Sequence, residues 1–262
     1  MAVFHDQLNR VVSLPAVPQR IVSVVPSQTE LLFYLGLDTE VIGITKFCVH
    51  PEQKLKTVTK VGGTKQLNIG LIKSLQPDLI IANKEENERG QVEELMNICP
   101  VWISDINDLD TALGMIRSVG SIVNRSVQAN ALCADINAAF NSLVLPSLNL
   151  RAAYFIWRKP YMVAGKHTFI DNMLQWCGLS NAFNSTRYPE VAIEELERIR
   201  PDVVFLSSEP YPFGQKHIDE FKKILPQALV ILVDGEMFSW YGSRLLYAPA
   251  YFSKLVAALT IN

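Results

Sequence analysis

The sequence predicts an α/β protein made of two Rossmann-like lobes with mostly parallel central sheets, joined by one long helix. Three observations carry the prediction. Each half contains the same two helix-proline-strand units, each half opens on a matching strand-loop-helix unit, and a proline-free stretch rich in Ala and Asn lies between the halves. Strands that alternate with helices imply parallel pairing, because a parallel neighbour is reached through a crossover. With 262 residues and 49% hydrophobic content, the chain has ample material for a core.

The opening unit of the first half is "RIVSVVPSQTELLFYLGL" (20–37), and its counterpart is "RAAYFIWRKPYMVAGKHTFIDNMLQWCGL" (151–179). Both close on a Gly-Leu pair, Gly36-Leu37 or Gly178-Leu179, where glycine takes the left-handed C-cap. Ser27-x-x-Glu30 has the form of a capping box for the first helix. "LIKSLQPDLIIA" (71–82) matches "ELERIRPDVVFL" (195–206), and "QVEELMNICPVWISD" (91–105) matches "HIDEFKKILPQALVILVD" (217–234). Pro77 and Pro201 are separated by nearly the same interval as Pro100 and Pro226. Proline suits these corners because it ends a helix and pushes the preceding residue toward extended backbone.

Between the halves, apolar residues recur at Val127, Ala131, Ala134, Ala138 and Leu143 near helical spacing, which predicts one long helix stopped by Pro146. The expected organisation is an N-terminal lobe over 1–115, a linking region with the helix over 116–147 and a C-terminal lobe over 148–262. Two such lobes enclose a cleft, and ligands favour such places.

A net charge of −2 and a pI near 6.1 argue against a nucleic-acid or anionic-membrane surface. No apolar run reaches the roughly 18 residues of a membrane-spanning helix. Residues 1–25 hold no basic segment leading into an apolar core and a small-residue cleavage site. Cys48, Cys99, Cys133 and Cys177 are widely spaced, and Cys99, Cys133 and Cys177 fall among apolar neighbours and read as buried reduced thiols.

Signals for chemistry are weak. "KVGGTKQLN" (60–68) lacks the spacing of a phosphate-binding loop and reads as a tight turn. There is no G-x-S-x-G elbow and no dinucleotide fingerprint after the first strand. His5 and His217 read as surface residues, and His50 and His167 have no ligand spacing for a metal. The stronger constellation is aromatic: Phe47, Trp157, Tyr161, Tyr188, Trp240 and Tyr241 fall in the loops between predicted elements. Aromatic faces offer large contact area for gripping a bulky, partly planar ligand. In "FSWYGSRL" (238–245), Trp240 and Tyr241 read as a wall, Gly242 as a point of close backbone approach and Arg244 as a planar fork for an anionic group.

Taken in order, "RVVSLPAVPQRIVSVVPSQTELLFYLG", "VGGTKQLNIGLIKSLQPDLIIA", "YMVAGKHTFIDNMLQWCGL" and "SWYGSRL" resemble the substrate-binding proteins of cobalamin and iron-siderophore ABC importers over nearly the whole chain. The resemblance implies capture of a corrinoid, haem-like compound or siderophore in the cleft without catalysis or a required cofactor. It implies delivery to an ABC permease with its ATPase subunits, a monomer, and an extracytoplasmic location. By position in the matching motifs, Phe47, Lys65 and Asn83 would face the ligand from the first lobe. Trp157, Tyr161, Tyr188, Trp240, Tyr241 and Arg244 would face it from the second, and Glu194 would dock the permease. The chain departs from the pattern at Lys65 and Asn83, where cobalamin-binding members carry tryptophans, and at Asn68-Ile69-Gly70, where the first-lobe docking acid is missing. The alternatives are a cytosolic corrinoid- or metal-chelate-binding protein without a permease, and an enzyme using the same cleft.

Overall fold

The computed structural model describes residues 1–146 and 148–260. The chain divides into two compact units. The first comprises 1–106, 110–138 and 241–244, and the second comprises 107–109, 139–240 and 245–262.

In the first unit, the hairpin β1 (Ala2–His5) and β2 (Val11–Leu14) precedes a sheet in which every pairing is parallel. Its strands are β3 (Ile21–Ser23), β4 (Val41–Ile44), β5 (Thr59–Lys60), β8 (Leu79–Asn83) and β9 (Val101–Ser104), in the order β5-β4-β3-β8-β9. Between β5 and β8, β6 (Gly62–Gly63) and β7 (Gln66–Leu67) form a small hairpin, which is the turn expected of "KVGGTKQLN". β8 and β9 are buried at every residue, as strands covered on both faces must be. Helices α1 (Pro26–Tyr34), α2 (Glu52–Leu55), α3 (Ile69–Ser74) and α4 (Arg89–Leu95) provide the crossovers.

Helix α5 (Leu109–Ile122) and helix α6 (Ser126–Asn141) follow, with Asn124 between them in the left-handed region. Helix α6 carries the chain from the first unit into the second. It ends at Asn141, so Leu143 lies beyond it and Pro146 is not its stop. The expected apolar stripe is also corrected: Val127, Ala131, Ala134 and Ala138 are exposed, while Ala129, Leu132, Cys133, Ile136 and Phe140 are buried. Both sets have helical spacing, and the bulkier one takes the core because it removes more apolar area from water.

In the second unit, β10 (Arg151–Trp157) pairs antiparallel with β11 (Met162–Val163) and parallel with β12 (Ser180–Asn181) and β13 (Val203–Ser207). β14 (Leu229–Val233) lies parallel to β13 at the edge, and there the burial is no longer continuous. Helices α7 (Phe169–Trp176), α8 (Ile193–Ile199), α9 (Gln215–Ile224), α10 (Glu236–Ser239) and α11 (Ala248–Thr260) complete it. The run α3-β8-α4-β9 therefore has the same plan as α8-β13-α9-β14, as the repeated helix-proline-strand units predicted.

One local expectation fails at α1. Pro26 occupies its first turn and Val25 its N-cap, with no side-chain cap. Ser27 therefore sits inside the helix with its Oγ buried and without a hydrogen-bond partner among the described residues. Proline suits a first turn because the missing N–H would have been unpaired there.

Candidate functional site

The expected ligand-contacting residues lie in loops or at strand ends, except Arg244, which falls in a 3-10 turn over Ser243–Leu246. In the first unit, Phe47 follows β4 and is 52% exposed. The Lys46 ammonium lies 5.2 Å from its ring centroid, and a Cβ on Gly63 would sit 3.0 Å from the ring. Lys65 is exposed, but its Nζ donates to the Glu85 carbonyl at 2.7 Å and to the Asn87 carbonyl at 3.4 Å.

Asn83 does not face outward. It is buried, its Nδ2 donates to Ser104 Oγ at 2.9 Å, and its Oδ1 accepts from the N–H groups of Glu85 and Glu86. The side chain is consumed in turning the chain after β8, which replaces the expected ligand contact with a structural one.

Tyr241 and Arg244 belong to the first unit rather than the second. The Arg244 guanidinium grips Glu30, with Nε at 3.1 Å and Nη2 at 2.5 Å from its two oxygens, and both side chains are largely buried. Glu30 thus serves as the partner of Arg244 rather than as a capping residue. The fork expected to meet a ligand anion is spent on an internal bidentate pair. Tyr241 is buried and donates to Glu86 Oε1 at 2.5 Å. Gly242, at φ +138°, brings its backbone against the main chain of Ser27, where a Cβ would lie 3.2 Å from the Ser27 oxygen.

In the second unit, Trp240 is buried and donates its indole N–H to Glu209 Oε1 at 2.8 Å, which Ser239 Oγ also reaches at 2.6 Å. Burial pushes the Glu209 carboxyl above its ordinary value, with Glu236 and Asp234 adding to the rise and the two donors opposing it. Gly235 is required beside it, because a Cβ there would lie 2.5 Å from Glu209 Cγ and 2.4 Å from Ser207 Oγ.

Trp157 ends β10 and is 40% exposed. Its ring meets Tyr211 edge to face at 5.6 Å, and Tyr211 contacts Phe213 at 4.7 Å. Beside them Tyr161 packs on Phe155 and Phe221 at 5.9 and 5.2 Å and donates to Glu220 Oε1. The Arg158 guanidinium holds the other Glu220 oxygen at 2.7 Å. Burial and the hydrogen bond to Glu220 push the Tyr161 phenol up to about 12. Burial works against the Glu220 charge, but Arg158 and Tyr161 hold its carboxyl below the ordinary value. Tyr188 is half-buried in the segment after β12.

One principle runs through these contacts: a glutamate takes the polar end of Arg244, Tyr241, Trp240 and Tyr161 in turn. The sequence reading missed Glu30, Glu86, Glu209 and Glu220 in this role, and it missed Tyr211. An acidic residue remote in sequence from its aromatic carries no local signal. Tyr211 did carry one, since it follows the β13 strand within "SSEPYPFG" as Trp157 follows β10.

A cavity of about 360 Å³ lies beside the start of α7, with Asp108, His167 and Asp171 among its walls. The buried Asp171 Oδ1 has no hydrogen-bond partner among the described residues, and the Lys166 ammonium lies 3.6 Å away. None of the aromatic candidates lines it. Among the described residues no group of three His, Cys, Asp or Glu side chains is placed to hold a metal ion. The four cysteines are free; burial pushes the thiols of Cys48, Cys133 and Cys177 up, and that of Cys99 to about 12, so they remain protonated and poorly nucleophilic. His217 is buried, not a surface residue. No helix among the described residues is long and apolar enough to cross a membrane.

A two-unit α/β chain with aromatics in the loops after its strands has the form of a solute-binding protein. The sequence profile of the periplasmic binding protein family matches residues 21–229, and the chain belongs to that family. The vitamin B12-binding protein of Pectobacterium carotovorum is 24% identical over 94% of this chain and 91% of its own length. Among solved structures, the molybdate periplasmic binding protein MolA of Haemophilus influenzae superposes with a TM-score of 0.81 at 14% identity, covering 100% of this chain and 92% of that one. The periplasmic heme-binding protein RhuT of Roseiflexus sp. RS-1 does so at 0.77 and 20% identity, covering 92% and 97%. These structural likenesses are likenesses of fold, and the two structures are named for two different ligands. Membership places the chain among binding proteins rather than enzymes.

Proposed function

We propose that the protein is the extracytoplasmic solute-binding component of an ABC importer and that its solute is a bulky, partly planar metal chelate, a corrinoid, haem or ferric siderophore. The observation that carries this reading is the aromatic surface of the second unit, where exposed Trp157 and half-buried Tyr211 and Tyr161 adjoin one another above an aromatic core. Such rings contact a large planar solute at low entropic cost, because two torsions fix each of them. Phe47, exposed in the first unit, and Tyr188, half-buried in the second, are further aromatic candidates. The vitamin B12- and heme-binding relatives support this class of solute.

Delivery would involve a permease and its ATPase subunits. Glu194 is exposed in the first turn of α8, as a docking residue must be. Its equivalent in the first unit is Gly70, since both hold the second position of helices that precede matching strands. Docking would then lean on the second unit.

A thermal-shift panel of cyanocobalamin, cobinamide, haem and ferric siderophores tests the reading. A ligand at a hundred times its Kd stabilises the folded state by about 2.7 kcal/mol, enough for a clear rise in Tm. A panel in which none of these compounds moves the transition would overturn it.

A further inference from the structure

Tyr211 and His217 form a pair whose proton positions follow from geometry. His217 sits at the third position of α9, and its Nδ1 accepts the Gly214 N–H at 2.8 Å. A nitrogen that accepts carries no proton, so the neutral ring has its hydrogen on Nε2. That Nε2 lies 3.3 Å from the Tyr211 hydroxyl oxygen, so the imidazole donates and the tyrosine accepts.

A phenolic hydrogen lies near the ring plane and has two favourable orientations. With one side of the oxygen taken by the His217 N–H, the hydrogen of Tyr211 turns to the other. No acceptor for it is found among the described residues. The ring is equally fixed: its centroid lies 5.5 Å from His217, 4.7 Å from Phe213 and 5.6 Å from Trp157. Its backbone N–H is tied to the Ile156 carbonyl of β10 at 3.3 Å, which sets Tyr211 beside Trp157.

We propose that Tyr211 is a ligand-contacting hydrogen-bond donor, that His217 is the positioning residue that turns its proton outward, and that the solute presents an acceptor oxygen there, from a carboxylate, phosphate or amide. The proposal rests on the reading of this aromatic surface as the solute site. It assigns the surface a directional polar contact, which its neighbours Tyr161 and Trp157 lack because Glu220 and the Lys159 carbonyl occupy their polar ends.

The test is a titration of wild type, Trp157→Ala, Tyr211→Phe, His217→Asn and His217→Gln with haem, cyanocobalamin and a ferric hydroxamate, with urea unfolding of each variant alongside. For the compound that binds, Tyr211→Phe should weaken binding roughly tenfold, the scale of one hydrogen bond to a ligand acceptor. His217→Asn keeps an acceptor for Gly214 but loses the donor, and should weaken binding about as much. His217→Gln puts an amide N–H near the place of Nε2 and should restore most of the affinity even if it unfolds earlier. If Trp157→Ala weakens binding while Tyr211→Phe binds as wild type does, this assignment is wrong and the solute site stands. If affinity follows urea stability across the His217 variants instead of the donor, His217 has no positioning role. If wild type binds none of the compounds, the solute reading itself fails and takes this assignment with it.

Discussion

The two units share a plan but treat their candidate residues differently. In the first unit, Asn83, Tyr241 and Arg244 are turned inward and engaged by internal partners, and Phe47 is an aromatic candidate that stays exposed. In the second, Trp157, Tyr211 and Tyr161 adjoin one another in a part-exposed aromatic surface backed by Glu220 and His217. On the proposed solute site, one repeated architecture assigns its strand-end loops to internal bracing in one copy and to recognition in the other. Sequence position alone does not distinguish the two uses.

The largest expected effect comes from the bracing side. Arg244→Ala leaves the largely buried Glu30 without its partner and should lower unfolding free energy by about 3 kcal/mol in urea titration. Solute affinity, corrected for the folded fraction, should stay unchanged. A drop in affinity with stability intact would return Arg244 to the ligand and erase the contrast.

Tyr161→Phe removes one hydrogen bond to a part-exposed carboxylate and should cost about 1 kcal/mol of stability, read by the same titration. It should leave the aromatic packing of residue 161 in place.

A pH series sharpens the role of His217. Burial, with Lys216 and Arg158 nearby, pushes its imidazole below the ordinary value, against the opposing pull of Glu220 and the Gly214 hydrogen bond. The folded state therefore binds this proton less readily than the unfolded chain does. The contribution is complete above the ordinary histidine value of about 6.5 and is lost as the pH falls below it. Wild type should lose stability on acidification through that range more steeply than His217→Gln, by unfolding at a series of pH values. Equal slopes would mean that His217 does not carry the effect.

The smallest effect on the fold is expected at Gly70. A side chain there meets only Asn68 Oδ1 at 3.7 Å, and the backbone is not in the left-handed region. Gly70→Glu should shift stability by no more than about 0.5 kcal/mol. On the proposed docking by Glu194, it should also strengthen association with the proposed permease, measured by stimulation of the ATPase.

Much of the architecture was legible because it is written in local pattern. The Pro77 and Pro201 corners, the uninterrupted apolar runs of β8 and β13 and the glycines after α1 and α7 each act within a few residues. The long helix was only partly legible, because Val127 with its alanines and Leu132 with Ile136 both fit a helical period. Only packing shows which face is covered. The aromatic surface was half legible: Trp157 and Tyr161 stood out by place and type, whereas the partners that fix Trp240, Tyr241 and Arg244 are 31, 155 and 214 residues away. Such long-range pairs leave no trace in spacing.

The most direct measurement is an equilibrium titration of haem, cyanocobalamin and ferric siderophores into wild type and Trp157→Ala, followed by absorbance. The account predicts saturable one-to-one binding of at least one compound, and a loss of about 2 kcal/mol, roughly thirtyfold in Kd, on removal of the exposed indole. Binding of equal strength in both proteins, or binding in neither, would contradict it.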